Sequence, residues 1–117
     1  MVTHDDIRRI ALALPETHER PSYGRRPSFR TTKQMFTWIR DGPESLVLWV
    51  PTLDDKDAMI ASDPVKFFTT GHYDGHAVVL ADLDAIDIDE ATELIVDSWR
   101  LRAPKRLVAS WEAGQLD

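Results

Sequence analysis

The chain has no cysteine. That absence removes disulfides, thiolate metal sites and a thiol nucleophile together, and it is compatible with a reducing compartment. Glycine is scarce as well, and Gly24, Gly42, Gly71, Gly75 and Gly114 stand singly. Phosphate loops of the Walker or dinucleotide type need clustered glycines that let several backbone N–H groups approach one anion, so both are excluded. No apolar run approaches the roughly 18 residues of a membrane-spanning helix. The acidic opening Met1-Val2-Thr3-His4-Asp5-Asp6 lacks the basic-then-apolar order of an export signal. A cytoplasmic protein with no membrane partner is therefore expected. Ser28, Ser98 and Ser110 sit in no Gly-x-Ser-x-Gly elbow, and no His–acid pair accompanies them. The expected role is not enzymatic.

What remains describes one packed domain over residues 1–117, expected to be a monomer. Its 117 residues, 43% of them hydrophobic and four of them Trp, suffice for a single core. Net charge is −6, from 14 basic and 20 acidic side chains, but the signs are segregated. Residues 16–40 hold Arg20, Arg25, Arg26, Arg30, Lys33 and Arg40 against Glu16 and Glu19. Residues 98–111 hold Arg100, Arg102, Lys105 and Arg106 with no acid, whereas residues 41–97 are strongly acidic. Such segregation fits either a polarised surface or ordinary solvated faces.

Periodicity gives the element order. Thr3 with Asp6 three residues later has the form of a capping box, and Ile7, Ile10, Ala11 and Leu14 follow at helical spacing over residues 4–14. Ser28–Thr31, Met35–Arg40 and Ser45–Val50 read as strands in a meander, with Asp41-Gly42-Pro43 as a turn. Strict alternation would put Phe36, Trp38 and Arg40 on one face. Residues 53–61 form a short helix, and Pro64 is expected to open a helical turn containing Phe67 and Phe68. His76–Leu83 is a strand. Asp89 is expected to cap a long helix carrying Ala91, Leu94, Ile95, Ser98 and Trp99, and Pro104 to start a last helix through Trp111. Clustered strands with flanking helices predict an α+β fold, an antiparallel sheet covered on one face by helices.

Two groups of residues compete for function. His72-Tyr73-Asp74-Gly75-His76 offers two imidazoles, but a zinc site needs three or four converging ligands; a loop-to-strand turn is the expectation, with no metal and no cofactor. Asp5 and Asp6 make only a thin case for an acidic metal-binding helix. The arginines of residues 20–40 among Phe29, Phe36 and Trp38 have the mixture that nucleic-acid surfaces use, cations for phosphates and rings for stacking. Core packing of Phe36 and Trp38 is the competing account.

Ala13-Leu14-Pro15-Glu16, Pro27-Ser28-Phe29-Arg30 with Lys33 and Phe36, Phe67-Phe68 ahead of His72-Tyr73-Asp74-Gly75, and Ser98-Trp99-Arg100-Leu101-Arg102-Ala103-Pro104-Lys105-Arg106-Leu107 together resemble the MmcQ/YjbR family of small bacterial proteins. The resemblance spans nearly the whole chain. It implies a frataxin-like (CyaY-like) two-layer sandwich and DNA binding through a double-wing arrangement of hairpins, and it carries over no catalytic residues. The expected contacts to double-stranded DNA are Arg25, Arg26, Arg30 and Lys33 on a hairpin, with Arg100, Arg102, Lys105 and Arg106 as a second anchor. A protein-interaction or small-ligand module is the alternative.

Overall fold

A computed structural model describes residues 1–32 and 34–115. Helix α1 (His4–Leu12) is followed by β1 (Thr17–Pro21), β2 (Pro27–Thr31), β3 (Met35–Arg40) and β4 (Ser45–Trp49). Then come α2 (Leu53–Ser62), β5 (Phe67–Phe68), β6 (Val78–Asp82), α3 (Ile88–Arg102) and α4 (Lys105–Gln115). The six strands form one sheet in the order β1-β2-β3-β4-β6-β5, antiparallel at every pairing. The expected α+β class and antiparallel sheet are both present. None of the described helices is long and apolar enough to cross a membrane.

Local chemistry explains most element ends. The Thr3 hydroxyl accepts from the Asp6 N–H at 3.1 Å and the Asp6 carboxylate accepts from the Thr3 N–H at 3.0 Å, so two otherwise orphaned donors are satisfied at the start of α1. Helix α3 is capped by Asp87, not Asp89. Glu90 lies three residues beyond Asp87 and can close a reciprocal box, whereas the position three beyond Asp89 is Thr92. The helical turn expected at Phe67-Phe68 is also corrected, because these residues form a strand against Leu80 and Ala81 of β6. Consecutive strand residues point to opposite faces. Each ring thereby finds its own apolar layer, an outcome that a helical turn would not give.

All four helices lie on one side of the sheet. Ile7 and Ala11 of α1, Ile95 and Trp99 of α3 and Leu107 of α4 are buried with Phe29, Phe36, Ile39, Leu46 and Leu48, and Met59 and Ile60 of α2 pack against the same cluster. A second, smaller cluster of Val47, Val78 and Leu80 occupies the opposite face, with Trp38, Trp49, Phe68 and Tyr73 packed against it.

A β-bulge decides which aromatics join which layer. Phe29 pairs with Thr37, but Arg30 pairs with Met35, so Phe36 is an extra residue in β3. The alternation expected for Phe36, Trp38 and Arg40 breaks there. Phe36 is fully buried under the helices, while Trp38 lies on the other face. Ser98 of α3 closes the irregularity: its hydroxyl donates to the Phe36 carbonyl and accepts from the Trp49 N–H at 2.9 Å. This one hydroxyl thus ties the helix layer to two strands of the sheet.

Peripheral ion pairs give the fold a pH dependence. The Arg8 guanidinium bonded to Glu19 at 2.6 Å holds that carboxyl below its usual range. Arg26, with His4, does the same for Glu44. Depressed folded-state values mean that this stabilisation is complete above the ordinary carboxylate pKa of about 4.3 and is lost as pH falls through the lower folded values. Urea midpoints should be flat near neutrality and drop below about pH 4. Glu19→Gln should flatten that drop, and an unchanged acid limb would contradict the assignment.

Candidate nucleic-acid interface

Because the helices cover only one face, the other face of the sheet is left to strand side chains. Register identifies them. Arg20 pairs with Ser28, Ser28 with Trp38, Trp38 with Val47, Val47 with Leu80 and Leu80 with Phe68. Directly paired residues point the same way, so these six form a row across the whole sheet, about 24 Å at the usual strand spacing. Flanking rows add His18 beside Arg30, Arg40 beside Ser45 and Asp82, and Trp49 beside Val78. The β1–β3 half of this face is cationic and the β4–β6 half is aromatic and aliphatic. Asp82, at one corner, is its one acidic strand residue.

The arginines of this half are not neutralised. Arg20, Arg30 and Arg40 have no ion pair among the described residues, and the Arg30 Nε is buried without an acceptor. Glu19, in the same strand as Arg20, points to the helix side and is taken up by Arg8. Strand alternation alone thus sorts neighbouring opposite charges onto opposite faces.

The eight basic residues expected to contact DNA fare differently. Arg25 is exposed and has no ion pair among the described residues, and it is held at a left-handed φ of 61° next to Gly24, a conformation that costs a non-glycine residue about 1–2 kcal/mol. Arg26 is not free to reach out. It donates to the Ile39 carbonyl and pairs with Asp41 at 2.9 Å and Glu44 at 3.1 Å. Arg30 lies on the open sheet face. Lys33 lies outside the described residues.

Of the C-terminal group, Arg100 pairs with Asp97 at 3.1 Å and stacks on Trp111 on the helix side. Arg106 lies 4.0 Å from Glu16, and Lys105 is exposed on α4. Arg102 donates to the Met35 carbonyl at 3.0 Å and lies 4.4 Å from the Trp49 ring centroid, and burial lowers its pKa. Arg26 therefore docks at the Ile39 end of β3 and Arg102 at the Met35 end, about 13 Å apart along the strand. The two sequence clusters do not make one patch. Arg102 alone of its group reaches the open face, by way of Trp49.

The loop from 69 to 77 borders the aromatic half. Lys56 of α2, only 3% exposed, donates from Nζ to the Tyr73 carbonyl at 2.7 Å and the His76 carbonyl at 3.0 Å. This clamp sets Tyr73 against Val78 and Leu80. A cleft of about 490 Å³ opens between loop and sheet, lined by Trp49, His72, Tyr73, His76, Ala77 and Val78. His72 and His76 thus flank a cavity without a third ligand: among the described residues no three His, Asp or Glu side chains converge. Asp5 and Asp6 are engaged by Arg8 and Arg9.

Arg20 and Arg40 belong to the basic, aromatic stretch of residues 20–40 but not to the eight expected contacts, and Lys56 has no site signal in the sequence at all. Arg20 and Arg40 join Arg30 only through strand pairing, and Lys56 is an isolated base in an acidic segment whose sequence neighbours predict a solvated face.

These features define a class: a two-layer α+β domain with one sheet face free of helices, basic at one edge and aromatic at the other. Within that class, residues 12–101 match the family model described as YjbR, and the chain belongs to the YjbR family. It is 32% identical over 130 aligned positions to Uncharacterized protein Mb2600 of Mycobacterium bovis and to Uncharacterized protein Rv2570 of Mycobacterium tuberculosis; the alignment covers 97% of this chain and 98% of each relative. The crystal structure of Deinococcus radiodurans protein DR2400, family-model domain DUF419, superposes with a TM-score of 0.73 at 23% identity, over 86% of this chain and 78% of that one. At that identity the likeness concerns the fold.

Proposed function

We propose that this YjbR-family domain is a non-enzymatic nucleic-acid-binding protein that contacts DNA phosphates through the helix-free face of its sheet. The observation that carries the reading is the placement of Arg20, Arg30 and Arg40 on one sheet face, spread along its strands and without ion-pair partners among the described residues, where the strands supply one corner acid. Phosphate contacts dominate such affinity, and a net charge of −6 is tolerable when the acids are turned elsewhere. Arg25 at the β1–β2 turn and Arg102 at the opposite end would extend the contact.

The test is binding to a labelled DNA duplex and its single strands across a salt series. Arg20/Arg30/Arg40→Ala should reduce the duplex log–log salt slope by about 2.7, roughly 0.9 per lost phosphate contact. Lys105/Arg106→Ala, on the helix side, should leave the slope nearly unchanged. Absence of binding to any of these DNAs at low salt by the folded protein would refute the proposal.

A second reading, as a small-ligand module, draws on a groove of about 530 Å³ between α2 and α3, with Leu48, Val50, Met59 and Leu94 among its lining and Asp55 and Asp97 on its walls. Its volume is that of a ligand site. Replacing Met59 by Trp should abolish binding of any ligand held there and leave DNA binding intact.

A further inference from the structure

Resting on the nucleic-acid reading, we propose that the preferred ligand is a single strand, with one base seated in the cleft between Trp49 and the loop from 69 to 77. Two independent features point there. The first is the cleft, whose volume of about 490 Å³ falls in the range of small-molecule sites. Its side chains are two aromatic rings, two imidazoles and two small aliphatics. This is a lining for a flat heteroaromatic ring: faces for stacking, and ring nitrogens of His72 and His76 for hydrogen bonding to its edge. The edge-on contact of His72 with Tyr73, centroids 4.7 Å apart, ties one imidazole to one stacking surface.

The second feature is the charge laid out beside the cleft. Trp49 carries the Arg102 guanidinium at 4.4 Å. On the same face toward β1 lie Arg30 and Arg20, with Arg40 at the far end of β3, none of them in an ion pair among the described residues. A strand whose base enters the cleft would thus lead its phosphates over cations. The transverse row of about 24 Å suits a few nucleotides, the low end of single-strand site sizes. A duplex keeps its bases stacked and paired inside, and would leave the cleft unused unless it paid to flip one out.

The experiment compares fluorescein-labelled dT12 with a 12-base-pair duplex at equal salt, using the wild-type protein, Tyr73→Leu and Lys105→Ala, each verified as folded by circular dichroism and thermal melting. Leucine keeps an apolar cover over Val78 and Leu80 but removes the stacking ring. The expected result is at least a tenfold preference for dT12, with quenching of tryptophan fluorescence by unlabelled dT12. Tyr73→Leu should weaken dT12 by roughly 5- to 150-fold, the loss of one stacked base, and leave duplex binding within twofold. Lys105→Ala should change neither beyond twofold. Equal or tighter duplex binding, or equal weakening of both ligands by Tyr73→Leu, would overturn the single-strand inference while the phosphate-binding reading stands. Binding to neither would overturn both.

Discussion

Ser98→Ala should lower the stability of this domain by about 2–4 kcal/mol, the largest effect expected of any single-atom deletion here. The hydroxyl serves two buried backbone groups, the carbonyl of the bulged Phe36 and the N–H of Trp49. Neither is a routine ladder bond. The bulge takes Phe36 out of pairing with β2, and Trp49 ends β4. Removing the hydroxyl leaves a donor and an acceptor desolvated together, each costing about 1–3 kcal/mol, and partial relaxation returns some of that. At about 4–8 °C per kcal/mol for domains slightly smaller than this one, the melting temperature should fall by on the order of 10–20 °C. Ser110→Ala, on an exposed position of α4, is the matched control and should fall within about 0.5 kcal/mol of wild type. A Ser98→Ala protein as stable as that control would mean the bulge is held by packing alone.

Lys56→Met should produce a comparable loss, about 2–3 kcal/mol, concentrated in the 69–77 loop. The ammonium group is buried and bonded to two carbonyls, with no carboxylate partner among the described residues. Charged hydrogen bonds contribute about 1.5–3 kcal/mol each, and methionine fills much of the same volume, so the lost bonds dominate over a lost cavity. The loop carbonyls can regain water, which sets the upper limit. Amide exchange is the discriminating measurement. The Tyr73 and His76 N–H groups bond within the loop to Thr70 and Tyr73, and they should exchange faster in Lys56→Met while β2 and β3 keep their protection. Lys66→Met removes a half-exposed ion pair with Glu90, remote from the loop carbonyls, and should leave loop exchange unchanged at a stability cost below that of Lys56→Met. If Lys56→Met leaves the loop as protected as before, the clamp does not order Tyr73. Should loop exchange rise and dT12 affinity fall together, order in the loop and the cleft are linked.

Both substitutions act through contacts between residues far apart in the chain. Ser98 lies 62 positions from Phe36, and Lys56 lies 20 from His76. Periodicity identified Ser98 as belonging to the apolar stripe of its helix, which is correct, but nothing in a helical stripe says which strand carbonyl awaits it. For Lys56 the local pattern pointed the wrong way. Its neighbours Asp54, Asp55 and Asp57 are exposed and predict an exposed lysine; the loop that buries it begins more than ten residues later.

The capping box at Thr3, the meander of β2 to β4, the strand near residues 78–82 and the α+β class were all legible in the sequence, because capping, turn chemistry and hydrophobic period act within a few residues. The supply of arginines was legible too, but not where each would go. Long-range pairing, by contrast, is what consumes Arg26 with Asp41 and Glu44, sets Arg102 at the other end of β3, and turns Arg20, Arg30 and Arg40 to one face. The physical reason lies in the sheet. Which face a strand residue occupies changes with a single inserted residue, and the bulge at Phe36 is such an insertion, specified by its pairing with β2 and by the Ser98 hydroxyl.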